Sequence, residues 1–146
     1  QRTAEATARI DAVAPAIFTA DSSGAGAPAG FAVTASTEGA QSRQPLFVCT
    51  ANPAQCETAS VPVAGQNVYL QLFASGVRNR KSLDGVNLTV GGVAIPILYA
   101  GAQNEFPGLD QINAGPLPAS LAGRGEVEVR FTVDNEPANT IRIRVQ

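Results

Sequence analysis

The stretch "GEVEVRFTV" (residues 125–133) sets Val127, Val129, Phe131 and Val133 at alternate positions, with Glu126, Glu128, Arg130 and Thr132 between them. "TIRIRVQ" (140–146) repeats the pattern, Ile141, Ile143 and Val145 alternating with Arg142 and Arg144. Successive side chains of an extended chain point to opposite faces, so each stretch predicts a strand with one buried face. "DNEPAN" (134–139) joins them as a loop. If the two strands pair, their acidic and basic side chains share one solvated face. Each cross-strand pair of that kind contributes a few tenths of a kcal/mol to about 1 kcal/mol. The charges are then explained without a ligand.

The same period runs through the middle of the chain. "VNLTVGG" (86–92) points Val86, Leu88 and Val90 inward and Asn87 and Thr89 outward, and Gly91-Gly92 predicts a tight hairpin turn. "VAIPILYA" (93–100) returns, with Val93, Ile95, Ile97 and Tyr99 expected on one face. Pro96 cannot donate to a ladder, so it marks a strand edge or a bulge. "NVYLQLFAS" (67–75) carries Val68, Leu70 and Leu72 on one face and Tyr69, Gln71 and Phe73 on the other. Two large aromatics on that second face predict that it too is largely covered.

Shorter strands are expected in "PAIFTAD" (15–21), "FAVTAS" (31–36), "PLFVCT" (45–50) and "ASVPV" (59–63). "SSGAGAPAG" (22–30) reads as a flexible turn, "GVRNRKSLDG" (76–85) as a polar loop, and "PASLAG" (118–123) as a single 3₁₀ or α turn. No segment carries a long helical period. Many short strands punctuated by Gly and Pro predict an all-β fold, an immunoglobulin-like β-sandwich of about eight to ten short strands. Residues 1–13 read as a linker or the end of a preceding module, and residues 14–146 as a C-terminal β-sandwich domain.

A chain of 146 residues suits one domain with a real core. The formal net charge of −2 argues against nucleic acid, whose binders present basic faces. The one basic cluster, Arg78, Arg80 and Lys81, reads as loop decoration. No apolar run approaches the length of a membrane span, so no membrane insertion is expected. The chain has no signal peptide and does not begin with Met, which is the appearance of a mature fragment or an excised domain.

Cys49 and Cys56 are the only cysteines, with the six residues "TANPAQ" between them. Zinc usually takes four ligands from Cys, His or carboxylate, and the chain has no His. The pair fits a disulfide closing a small loop, worth about 2.5 kcal/mol by chain entropy. Asn52-Pro53 inside it is a turn signal. Such a bond persists in an oxidising compartment, so the protein is expected to be secreted or on the cell surface. The alternative is two free, partly buried thiols.

The missing histidine removes the Ser-His-Asp and Cys-His arrangements and the usual general base near neutral pH. Lys81, the only lysine, lacks the spacing of a Ser-Lys dyad. Asp84, Glu105 and Asp110 are the carboxylates to weigh for glycoside hydrolysis, but no short motif ties any two together. "GGVAIP" leads into a strand rather than a helix, so it is no phosphate loop, and no calcium loop is present. No cofactor, metal or catalytic residue is therefore expected. Tyr69, Tyr99 and Phe106 remain as aromatics that could stack on a sugar.

"GLDQIN" (108–113) concentrates polar groups. In a strand Asp110 and Ile112 point one way, and Gln111 and Asn113 the other, so the four cannot converge on one ligand unless the segment bends. The structural reading makes Asp110, Gln111 and Asn113 a latch. Asp110 and Asn113 would bond to backbone of the "AQNEFPG" loop and the "GPLP" turn, as Asp and Asn commonly do, while Leu109 and Ile112 plug the sandwich end. The functional reading makes them a polar pocket under that loop.

Three stretches taken together carry a family likeness: "PAIFTADSSGAG", "VNLTVGGVAIPILYAGAQNEFPGLDQIN" and "LPASLAGRGEVEVRFTVDNEPANTIRIRVQ". They resemble the uncharacterised C-terminal domain of many exported acidobacterial proteins, over roughly residues 14–146. The hairpin and terminal strand are more distantly similar to the immunoglobulin-like TIG/IPT domains. Members of the first family often continue with valine after "QIN", whereas here the chain runs "QINAGPLP", so Gly115-Pro116 should end that strand sooner. The resemblance implies a non-catalytic structural or interaction module at the C-terminus of a secreted or cell-surface bacterial protein, not an activity. The expected partners are upstream domains of the same polypeptide and an extracellular glycan or protein. The alternative reading is a carbohydrate-binding or other ligand-binding module.

Overall fold

The computed structural model describes residues 3–51 and 55–146. They form an all-β fold in which two sheets pack face to face around one core. In chain order the strands are β1 (Ala16–Ile17), β2 (Gly30–Ala35), β3 (Gln41–Pro45), β4 (Phe47–Cys49), β5 (Cys56–Thr58), β6 (Ser60–Val61) and β7 (Asn67–Ser75). Then follow β8 (Val86–Val90), β9 (Val93–Ile95), β10 (Ile97–Ala102), β11 (Asp110–Ala114), β12 (Gly125–Val133), β13 (Glu136–Pro137) and β14 (Ile141–Val145). This exceeds the expected number because several pieces are only two or three residues long. A 3₁₀ turn at Ala119–Leu121 falls inside "PASLAG", and a second, Leu83–Gly85, lies in the loop after β7.

One sheet runs β10-β11-β7-β2-β3, with β1 also on β7; the other runs β6-β14-β12-β8-β9, with β13 on β12. All pairings within them are antiparallel except β6 on β14. The chain passes from one of these sheets to the other between β3 and β6, by way of β4 and β5, and again at β6–β7, β7–β8, β9–β10 and β11–β12. Two hairpins rest on turns in which two consecutive residues have positive φ, the geometry that matches the right-handed twist of the flanking strands. Gly91 and Gly92 supply it between β8 and β9, and Asp134 and Asn135 between β12 and β13. The second turn was expected only as a loop. Asp and Asn tolerate this conformation, so "DN" was its signal.

The alternation around residues 125–146 holds. Val129, Phe131, Val133, Ile141, Ile143 and Val145 are buried, and Val127 is partly buried against the same core. Glu126 stands opposite Arg144 and Glu128 opposite Arg142. The contacts that form are Arg142 and Arg144 to Glu126 at 3.7 and 3.8 Å, and Arg130 to Glu128 at 2.9 Å. All these side chains are exposed, so the pairs contribute little stability.

The returning strand departs from expectation. A bulge between Ile97 and Tyr99 follows Pro96, where the chain steps from one sheet to the other. One extra residue reverses the faces beyond it. Ala100 is therefore fully buried, while Leu98 and Tyr99 are exposed. β11 ends at Ala114, before Gly115-Pro116, as the local sequence implied.

Cys49 and Cys56 face each other across β4 and β5 and are joined by a disulfide. This hairpin is a separate two-stranded sheet. The Asn52-Pro53 turn signal lies outside the described residues. Among the described residues no helix is long and apolar enough to cross a membrane.

Candidate functional site

Asp110 opens β11 on its inward face and is fully buried. Its Oδ2 accepts hydrogen bonds from the backbone N–H groups of Val77 (2.7 Å) and Arg78 (3.2 Å). Its Oδ1 accepts one from Arg78 Nε at 2.6 Å, and Arg78 Nη2 donates to the Leu109 carbonyl at 2.8 Å. A buried carboxylate needs such partners, because stripping its water is otherwise very costly. The loop it holds is the crossover from β7 to β8, not the "AQNEFPG" loop or the "GPLP" turn. The correction has a geometric cause: β11 lies beside β7, with Asp110 opposite Ala74, so the start of that crossover passes under the carboxylate.

Gln111 and Asn113 do not join Asp110. They point to the outer face, where Gln111 Nε2 donates to Asn113 Oδ1 at 2.9 Å. The segment thus divides as its alternation requires, one member inside and two outside.

A second polar latch was not anticipated. Asn139 sits where β12's partner breaks between β13 and β14. Its Oδ1 accepts from Ile17 N–H at 2.7 Å, and its Nδ2 donates to the Ile17 carbonyl at 3.0 Å and the Gly24 carbonyl at 2.8 Å. The amide behaves as one rung of a ladder and ties β1 to the opposite sheet. Its partner is 122 residues away, and no local pattern marks it.

The outer face of the β10–β3 sheet collects the remaining candidates. Registers place Tyr99 opposite Asn113, Asn113 opposite Gln71, and Gln71 opposite Phe31. The row therefore reads ring, amide, amide, ring across four strands. In the next row Tyr69, Val33 and Arg43 stand opposite one another. Tyr69 packs against Gly115 and Tyr99 against Gly101; a Cβ on Gly115 would lie 2.8 Å from the Tyr69 ring. The Tyr99 hydroxyl donates to the Ala102 carbonyl. Phe31 meets Phe73 edge-on at 6.2 Å, and the Arg43 guanidinium lies 5.1 Å from the Phe31 centroid while also donating to Gln71.

Two clefts open on this face. One, of about 510 Å³, is bordered by Arg43, Gln41, Tyr69, Gln71, Leu98 and Asn113. The other, of about 270 Å³, is bordered by Tyr99, Gln103, Asn104, Gln111 and Asn113. Tyr69 is half-buried and Tyr99 37% exposed. Phe106 is 63% exposed on the 103–109 loop and borders neither cleft. Tyr69 and Tyr99 thus share a surface and Phe106 does not.

The carboxylates weighed for hydrolysis occupy different settings. Asp110 is held by three hydrogen bonds, Asp84 lies in the Leu83–Gly85 turn, and Glu105 accepts from Gln103 on the exposed loop. Among the described residues no group of three or more His, Cys, Asp or Glu could hold a metal ion. Comparison of the chain with models of known families, with curated proteins and with solved structures finds no match.

Proposed function

We propose that the chain is a non-catalytic β-sandwich module of immunoglobulin-like type, forming the C-terminal part of a secreted or cell-surface bacterial protein and acting through structure and contact. The observation that carries this reading is the use made of Asp110. Among the described residues it is the one buried ionisable side chain, and its hydrogen bonds serve to fasten a crossover. A carboxylate committed in this way is a latch rather than an acid, base or nucleophile. The Cys49–Cys56 disulfide supports export, since such bonds persist in oxidising compartments. The family likeness supports the terminal position.

The test follows Asp110→Ala in the parent protein. Thermal stability should fall, and any activity or attachment of the parent should decline only with the folded fraction. A variant that melts as the wild type does while losing binding or turnover would overturn the reading. Ligand binding is the second reading, and the shared outer surface of Tyr69 and Tyr99 favours it.

A further inference from the structure

We propose that the outer face of the β10–β3 sheet binds a carboxylated polysaccharide, a chain of sugar rings bearing uronate groups. This deepens the contact role above and rests on the chain being exported. The two outer faces differ in charge and exposure. On the β6–β9 sheet Glu126, Glu128, Arg130, Arg142 and Arg144 are all exposed. On the β10–β3 sheet Phe31, Tyr69, Gln71, Phe73, Gln111 and Asn113 are half-buried, which makes that face recessed and nearly uncharged.

The chemistry of the row fits sugar. A pyranose ring has apolar C–H faces and a rim of hydroxyls. Tyr99 and Tyr69, which border the two clefts, offer rings for the faces, and Asn113 and Gln71 offer amides, which both donate and accept. The two clefts meet at Asn113 and form one track. Five neighbouring strands span about 19 Å at the usual strand spacing, room for several linked rings rather than one.

Charge selects the kind of sugar. Arg43 is the single ionised side chain bordering either cleft, and no carboxylate borders them. Among the described residues no carboxylate pairs with Arg43. Its guanidinium is steadied by Phe31 and Gln71 and retains donors for a planar anion, which arginine grips in bidentate fashion. In a chain of net charge −2, a cation kept free of carboxylates at the end of an amide and aromatic track is complementary to a uronate.

The experiment titrates the 146-residue chain with galacturonate and mannuronate hexamers and with their methyl esters, by calorimetry and by side-chain amide NMR. At least one uronate hexamer should bind, roughly tenfold or more tighter than its ester. Arg43→Gln should remove that preference, and Tyr99→Ala should weaken both forms roughly tenfold. Glu128→Gln, on the opposite face, should bind as the wild type does. Melting curves identify any variant that fails to fold; Arg43→Gln, at an exposed position on an edge strand, keeps the test open if Tyr99→Ala does so. No binding at millimolar hexamer, equal affinity for acid and ester, or wild-type binding by folded Arg43→Gln would overturn the proposal. So would a concentration-dependent dimer abolished by Asn113→Arg, which would assign the face to a second copy. None of these failures touches the Asp110 test of the module itself.

Discussion

Replacing Asp110 with alanine removes three hydrogen bonds at once, and the three losses are unequal. The Val77 N–H is buried and has no water to turn to, so its orphaning costs about 1–3 kcal/mol. The Arg78 N–H is partly buried and bonded at a longer distance, which adds about 0.5–1.5 kcal/mol. The Arg78 side chain is 38% exposed and can swing into solvent, so the ion pair itself adds at most about 1 kcal/mol. Together the loss is about 2–5 kcal/mol, a large share of the stability of an ordinary domain. With an unfolding entropy of about 0.3 kcal/mol/K for a chain of 146 residues, the melting temperature should fall by about 6–16 °C. Asp110→Asn keeps one acceptor for the backbone but turns an amide N–H toward the guanidinium, so it should fall between alanine and wild type. Urea melts monitored by far-UV circular dichroism, with calorimetry for the midpoint, measure both variants. An Asp110→Ala chain with an unchanged midpoint would refute the reasoning, because a group that holds buried backbone cannot be removed without cost.

Phe131→Ala should leave a core cavity and cost about 3–5 kcal/mol in the same melts, whereas Glu128→Ala on the solvated face should cost under about 1 kcal/mol. Asn139→Ala should cost about 1–3 kcal/mol and speed amide exchange at Ile17, whose N–H loses its acceptor. Non-reducing mass spectrometry should find the chain two hydrogens lighter than the dithiol, and two alkylatable thiols in fresh native protein would count against both disulfide and export. Gly30→Ala should destabilise the fold sharply, because its Cβ would lie 2.5 Å from the backbone oxygen of Gln71, an atom fixed in the central ladder.

The terminal strands were legible because each buries one face, and burial of one face writes a period of two into the sequence. β3 was not, for the opposite reason: "QSRQP" joins its sheet through backbone groups and leaves most of its side chains exposed, so it has no apolar period to read. Tyr99 was assigned inward because the bulge that turns it outward is a property of the ladder, not of residues 97–99. That Asp110 would accept hydrogen bonds from backbone was recognisable from its residue type and setting, but not which backbone. That depended on β11 lying beside β7, a neighbour relation set by the whole sheet. The ring-and-amide row was invisible for the same reason, since its members come from four strands.

β14, the last strand of the module, is not at an edge but between β6 and β12. A ribosome or a secretion channel delivers residues in order, so every earlier strand of that sheet emerges before the piece that fills its middle. Until residues 141–145 arrive, the strip of β12 at Gly125–Val129 has no neighbour on that side, and Val61 lacks the strand it pairs with. Closure of that sheet therefore waits for residues 141–145 and depends on distant contacts, the arrangement that folds slowly. A chain cut short by a few residues should never close at all, and would be left to proteases.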